Sequence, residues 1–87
     1  MSKVVIYATA WCPYCIRARR LLDSKGINYT EIRIDLEHEQ RAIMIEKSRR
    51  RTVPQIFIDD QPIGGYDDLA RLEQARELDT LLGLAQT

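Results

Sequence analysis

The chain has 87 residues, of which 45% are hydrophobic and 30% are charged. This length leaves room for one small core, so we predict a single domain over residues 1–87. The composition excludes a disordered or collagen-like chain, and no apolar run approaches the roughly 18 residues of a membrane span.

The N-terminus has one lysine and lacks the apolar core of about 7–15 residues that a signal peptide needs. We therefore expect a cytoplasmic protein with no membrane partner. In that reducing compartment the two cysteines, Cys12 and Cys15, are not expected to form a permanent disulfide. The loop between them is also too short for a disulfide to stabilise the fold much.

Charge is distributed unevenly, although the formal net charge is zero. Residues 1–51 carry 11 Lys and Arg against 6 Asp and Glu, whereas residues 52–87 carry 2 against 7. Basic and aromatic residues are not interleaved, so we expect no nucleic-acid partner. A polarised surface and scattered solvated charges are equally good interpretations of this pattern.

The first predicted elements form a strand, a helix and a second strand. Residues 3–8 ("KVVIYA") are a short β-branched, apolar run typical of a buried strand. A helix is predicted to start at Pro13, which suits the first helical position, and to end at Gly26. Residues 29–34 alternate in the manner of a half-buried strand.

The second half of the chain predicts a helix, a hairpin and further helices. The first helix is expected over residues 36–48 with three inward side chains: Ala42, Ile43 and either Met44 or Ile45. Residues 55–58 and 62–65 flank a turn and predict a hairpin, whose second strand is short or at an edge because it begins with Pro62. One or two helices follow over residues 66–85.

This order, β-α-β-α-β-β-α, predicts how the elements assemble. The first β-α-β unit should form a right-handed parallel crossover, and the closing hairpin must pair antiparallel. The sequence therefore predicts an α/β protein with the thioredoxin-like fold, a four-stranded mixed sheet flanked by helices on both faces.

The two cysteines lie in "CPYC", residues 12–15. Cys12 is predicted to cap the helix, where free backbone N–H groups and the helix dipole favour an anion such as a thiolate. Cys15 is one turn deeper on the same side, within disulfide reach of Cys12 but more shielded. This spacing predicts a catalytic pair in which Cys12 attacks and Cys15 resolves.

A C-x-x-C pair alone is equally compatible with half of a zinc site. The strand before it and the helix after it favour a redox pair. The only histidine, His38, stands among polar and charged residues, and Cys and His alone cannot supply four zinc ligands in one chain. We therefore predict no metal site.

Three segments in register resemble the dithiol glutaredoxins: "CPYC" (12–15), "TVPQIFI" (52–58) and "IGGYDDL" (63–69). The resemblance covers essentially the whole chain. It implies a glutathione-dependent thiol–disulfide oxidoreductase that reduces glutathione mixed disulfides and protein disulfides, with Cys12 as nucleophile and Cys15 as resolving cysteine. Glutathione would be the reducing co-substrate, and no cofactor would be bound permanently.

The resemblance also implies a glutathione site. The Val53 backbone would pair with the cysteinyl part before a cis Val53–Pro54 bond, Asp67 would face the γ-glutamyl ammonium, and Arg41 would hold the glycyl carboxylate. The residues expected to bind glutathione are Tyr14, Arg41, Thr52, Val53, Pro54, Gly65, Tyr66 and Asp67. Asp68 is expected to cap a helix, and residues 49–51 ("RRR") to be solvated or to steer glutathione electrostatically.

The chain departs from the family pattern beside the cysteines. Thr9 stands where many members carry a lysine that stabilises the thiolate and contacts glutathione. Trp11 replaces a residue that is usually small, and either covers the site, contacts protein partners or packs on Tyr14 or the loop.

Two rival functions stay open. Two chains could hold an iron–sulfur cluster through Cys12 and two glutathiones, although Pro13 disfavours this by stiffening the site. Alternatively, electrons could come from a thioredoxin-type reductase, which the glutathione-site residues Gly64, Gly65 and Asp67 disfavour. The resemblance implies a monomer acting on glutathionylated proteins or on ribonucleotide reductase, and the sequence does not distinguish these targets.

Overall fold

A computed structural model of the chain describes residues 2–84. Its elements, in chain order, are β1 (Val4–Ala8), α1 (Pro13–Ser24), β2 (Thr30–Arg33), α2 (Glu39–Ser48), β3 (Gln55–Ile58), β4 (Gln61–Gly64), α3 (Tyr66–Gln74) and α4 (Leu78–Leu81). The predicted order is confirmed, and the last helical stretch forms two helices. Ala85, the end of that predicted stretch, lies outside the described residues. None of the helices in residues 2–84 has the length and apolar composition that crossing a membrane requires.

The four strands form one mixed sheet in the order β2-β1-β3-β4. Strand β1 pairs parallel with β2 and antiparallel with β3, and β3 pairs antiparallel with β4 across a register shift. The chain therefore leaves β1, β2 and β4 and enters β3 at the same edge of the sheet. The segments that carry Cys12, Val53 and Gly65 meet there.

Helices cover both faces of the sheet. On one face, side chains of α1, α3 and α4 pack with β1 and β3 in the larger core: Val4, Ile6, Ala8, Cys15, Ala18, Leu22, Ile56, Ile58, Leu69, Leu78 and Leu82. On the other face, Met44 of α2 packs in a smaller core with Tyr7, Ile34 and Phe57. Cys15 is thus a member of the main core.

Helix α2 differs from its prediction in its start and in its inward face. It begins at Glu39 because residues 35–38 form turns after β2. Met44 is fully buried and Ile45 half-buried, but Ala42 and Ile43 are exposed, so the expectation for these two was wrong. A single helix on this sheet face buries only a narrow stripe, which Met44 occupies.

Candidate active site

The N-terminus of α1 holds the half-buried thiol of Cys12. This residue is the N-cap, with an extended backbone, and Pro13 follows at the first helical position, as the sequence predicted. The Cys12 Sγ accepts a hydrogen bond from the Cys15 backbone N–H at 3.3 Å. Because this N–H has no partner within the helix, it is available to stabilise a thiolate at Cys12.

Cys15 has the opposite environment from Cys12. Its side chain is fully buried among the residues of the main core. Burial raises the pKa of the Cys15 thiol to about 12, a smaller contribution from Cys12 adds to this, and a hydrogen bond from the Thr9 backbone opposes it. Cys15 is therefore protonated at neutral pH, and both cysteines are free thiols in this structure.

The loop before β3 brings a backbone carbonyl next to Cys12 Sγ. The Cys12 thiol lies 3.7 Å from the Val53 carbonyl oxygen, to which it donates, and the Val53–Pro54 peptide bond is cis, as the resemblance implied. The buried side-chain amide of Gln55 donates to the Thr52 carbonyl at 2.9 Å and so holds this loop. The sequence interpretation missed Gln55, although a polar residue at the start of an apolar strand is a visible signal.

The N-terminus of α3 forms the opposite wall. Gly65 is the N-cap, and its N–H donates to the Asp68 carboxylate at 3.0 Å, so the expected capping role of Asp68 is confirmed. Gly64 has a φ of +117°, and a Cβ at this position would collide with the Asp68 carboxylate. Only glycine fits there without moving Asp68.

An ion pair joins this helix to the loop before β3. The Arg50 guanidinium donates to the Asp68 carboxylate at 2.9 Å, and Arg71 lies 3.4 Å from its other oxygen. Partial burial raises the pKa of Asp68, but the hydrogen bonds from Arg50 and from the Gly65 N–H outweigh it and hold this pKa below its usual range. Asp68 therefore stays ionised and fixes the orientation of Arg50.

These segments enclose a cavity of about 310 Å³ next to Cys12. Nine residues line it: Tyr14, Arg50, Thr52, Val53, Pro54, Gly65, Tyr66, Asp67 and Asp68. Seven of the eight residues expected to bind glutathione thus lie together. Arg41, the eighth, is exposed on α2 and is not among the lining residues. Arg50 is the lining residue that the sequence did not single out, because "RRR" does not reveal which arginine turns inward.

Comparisons with known sequences show which family this chain belongs to. The glutaredoxin family model matches residues 4–63. A glutaredoxin from Pseudomonas aeruginosa is 54% identical over 82 residues, which cover 94% of this chain and 98% of that protein. The chain belongs to the glutaredoxin family. Glutaredoxin 3 from Escherichia coli K12 is 52% identical over 82 residues, covering 94% of this chain and 99% of that protein.

Solved glutaredoxin structures share the fold. The solution structure of the Brucella melitensis glutaredoxin has a TM-score of 0.81 and 46% identity, covering 98% of this chain and 92% of that one. A crystal structure of a buckwheat glutaredoxin–glutathione complex has a TM-score of 0.88 and 28% identity, covering 97% and 83%. The predicted thioredoxin-like fold is confirmed. Like other glutaredoxins, the chain is a glutathione-dependent thiol–disulfide oxidoreductase.

Trp11 lies outside the cavity of this glutaredoxin. Its side chain is 91% exposed, so the interpretation that it packs on Tyr14 is wrong. Tyr14 instead stands 6.5 Å from Tyr66, measured between ring centroids, and Arg17 lies over its ring at 5.4 Å. Among residues 2–84, no three His, Cys, Asp or Glu side chains are grouped as a metal site would require.

Proposed function

We propose that Cys12 is the nucleophile of this glutaredoxin, that Cys15 is its resolving cysteine, and that the cavity beside Cys12 holds glutathione. The observation that carries the proposal is the difference between the two sulfurs. Cys12 Sγ lies 3.7 Å from Val53 in the cavity wall and faces a helix N–H, whereas Cys15 is fully buried.

In the first step, the Cys12 thiolate attacks the glutathione sulfur of a mixed disulfide. A Cys12–glutathione disulfide bond forms, the original disulfide bond breaks, and the substrate thiolate leaves with the electron pair and takes a proton from water. Before the attack, the Cys15 N–H holds the negative charge on Cys12 Sγ. The glutathione half then occupies the cavity.

Two routes can complete the cycle. In the first, a second glutathione thiolate attacks the bound glutathione sulfur, glutathione disulfide forms, and Cys12 leaves as the thiolate. In the second, Cys15 loses its proton and attacks Cys12 Sγ, so that glutathione leaves and an internal disulfide forms. Because the pKa of Cys15 is about 12, little Cys15 thiolate is present at neutral pH, and this slows the second route.

The cavity offers complementary groups to each end of glutathione. The Val53 backbone can pair with the cysteinyl unit, and the first N–H groups of α3 can bind the γ-glutamyl carboxylate. The exposed carboxylate of Asp67 can face the ammonium group. Tyr14 forms the side wall, and Arg41 stays a prediction for the glycyl carboxylate.

Arg50 supplies the cation at the γ-glutamyl end. Its Nη1 is bonded to Asp68 in the first turn of α3, the helix whose N-terminus lines the cavity. The remaining guanidinium donors can reach an anion in the cavity, and the fixed orientation lowers the entropy cost of binding. Arg50 would therefore bind the γ-glutamyl carboxylate together with the helix N-terminus.

The biological setting follows from the same proposal. We place the protein in the cytoplasm, as one domain over residues 1–87 that acts as a monomer. Its partners would be glutathione and glutathionylated or disulfide-containing proteins, with ribonucleotide reductase as one candidate. Membership of the glutaredoxin family supports this proposal.

The test compares wild type, Cys12→Ser and Cys15→Ser. Each protein is given a peptide–glutathione mixed disulfide with glutathione, glutathione reductase and NADPH. We expect Cys12→Ser to be inactive and Cys15→Ser to keep most of the activity. A Cys12→Ser variant that still turns over would overturn the assignment, and activity with thioredoxin reductase in place of glutathione would favour the rival electron donor.

A further inference from the structure

We propose that Trp11 and Leu36 form a docking site for the protein half of a mixed-disulfide substrate. The site would accept an apolar side chain next to the substrate's glutathionylated cysteine. This inference rests on the function proposed above for Cys12 and its cavity.

Trp11 and Leu36 are the two most exposed large hydrophobic side chains in residues 2–84, at 91% and 70%. One exposed hydrophobic residue is ordinary on a protein surface. Two of them, on hydrogen-bonded loops beside Cys12, offer apolar area that a partner can cover. Trp11 immediately precedes Cys12 in the chain.

Hydrogen bonds hold the two loops together. After β1 and β2 end, the Ile34 N–H donates to the Ala8 carbonyl at 3.1 Å, and the Ala10 N–H donates to the Asp35 carboxylate at 3.3 Å. The Arg33 guanidinium donates two hydrogen bonds of 2.7 Å to the same carboxylate. Trp11 and Leu36 each directly follow one member of the Ala10–Asp35 pair.

The sheet order places Leu36 on the side of Cys12 away from the glutathione cavity, and neither Leu36 nor Trp11 is among the residues that line that cavity. The cavity is built from loops next to β3 and β4, whereas Leu36 follows β2, and β1 lies between β2 and β3. A mixed disulfide has two halves joined at the reacting sulfurs. When the cavity takes the glutathione half, the β2 side is open to the protein half.

The chemistry of the pair favours an apolar partner over a charged one. Neither side chain carries a charge, and the flanking Arg33 and Asp35 form an ion pair with each other at 2.7 Å. Binding would therefore be driven by removing apolar surface from water. The aromatic ring of Trp11 adds a large rigid contact, a property common in interface hot spots.

The test uses two glutathionylated peptides that differ only beside the cysteine, with Leu in one and Ser in the other. A third, small substrate, the mixed disulfide of cysteine and glutathione, has no neighbouring side chain to bind and so measures the thiol–disulfide exchange alone. We expect wild type to prefer the Leu peptide about tenfold in kcat/KM, and Trp11→Ala/Leu36→Ala to lose this preference. Ile43→Ala, which truncates an exposed residue on α2, is the matched control and should keep it.

Three results would overturn the inference. Wild type could treat both peptides alike, the double variant could retain the preference, or the double variant could slow all three substrates by the same factor. Inactivity of wild type even on the cysteine–glutathione disulfide would overturn the proposed function itself. The small substrate therefore separates the two failures.

Discussion

Cys12 and Cys15 are three residues apart, yet their surroundings give their thiols different chemistry. Cys12 caps a helix, is half-buried beside the cavity, and its Sγ accepts a hydrogen bond from the Cys15 N–H. Cys15 has no exposed surface, and burial raises its pKa to about 12. In the mechanism that we propose, Cys12 attacks first, and Cys15 reacts only after Cys12 has formed a mixed disulfide.

The raised pKa of Cys15 predicts a loss of stability in alkali. The native state keeps a proton that the unfolded state releases above about pH 9, so this contribution is complete below that pH and is lost as the pH rises toward 12. Between pH 8 and pH 10 we expect wild type to lose about 1 kcal/mol more unfolding free energy than Cys15→Ala. Urea titrations at both pH values measure this difference.

Two features make that comparison specific. Tyr29 also has a pKa raised to about 12, by burial and by its hydrogen bond to Asp23, but both proteins contain it, so its effect cancels. Cys12→Ser keeps Cys15 and should follow wild type. If Cys15→Ala and wild type lose the same free energy, the Cys15 thiol is not held protonated by the fold.

Among the helices and strands, α1 connects the site to the main core. Its first turn holds Cys12, while Ala18 and Leu22 are fully buried on the sheet. We expect Leu22→Ala to lower the unfolding free energy by about 2–5 kcal/mol, because it leaves a cavity in the main core. Leu36→Ala removes the same atoms from an exposed position and should change it by less than about 0.5 kcal/mol. Equal losses in denaturant titrations would contradict the packing described.

The N-terminus of α3 and the loop before β3 are joined by the Arg50–Asp68 pair. We expect Arg50→Ala to raise the KM for the glutathione-containing substrate about tenfold with a smaller change in kcat, because the cation binds the ground state and transition state alike. Arg20→Ala, on the exposed face of α1, is the control. An unchanged KM in Arg50→Ala would remove Arg50 from the glutathione site.

The Arg41→Ala variant tests the arginine that the resemblance indicates, whereas Arg50→Ala tests the arginine that the structure indicates. If Arg41 holds the glycyl carboxylate and Arg50 the γ-glutamyl carboxylate, both single variants should raise KM. The double variant should then show the product of the two increases, because the two ends of glutathione are distant from each other. A KM that changes only in Arg41→Ala would favour the prediction from resemblance alone.

Some elements of the fold could be predicted from the sequence, and others could not. The strands β1 and β3 and the start of α1 were predictable because an apolar run, a proline and a capping cysteine are local signals. The start of α2 was not, because residues 35–38 form turns in which Leu36 and Glu37 donate to the Arg33 carbonyl. The role of Arg50 was not predictable either, because it depends on a tertiary contact with Asp68 that no local pattern encodes.

In the whole molecule, most residues of the proposed active site lie at one edge of the sheet. The chain leaves β1, β2 and β4 and enters β3 at this edge, so segments distant in sequence surround Cys12. The basic first half supplies Arg50 to the cavity, and the acidic second half supplies Asp67 and Asp68. Charged residues from the basic and the acidic half of the chain therefore meet at the cavity.

This arrangement predicts that glutathione use depends on salt. Glutathione is an anion near neutral pH, and Arg50 is half-exposed in its ion pair. Raising the ionic strength from about 0.05 M to 0.5 M should lower kcat/KM several-fold, since salt screens exposed charges beyond a few ångströms. The dependence should be weaker in Arg50→Ala. A salt dependence that is the same in both proteins would assign the steering to other charges.

Mass spectrometry of Cys15→Ser after reaction with glutathione disulfide tests directly whether Cys12 is the attacking cysteine. We predict that one glutathione becomes attached, that it is located on Cys12, and that added glutathione removes it. Wild type should instead accumulate the Cys12–Cys15 disulfide when free glutathione is scarce. A protein that acquires no glutathione at Cys12 would contradict the assignment of nucleophile and cavity together.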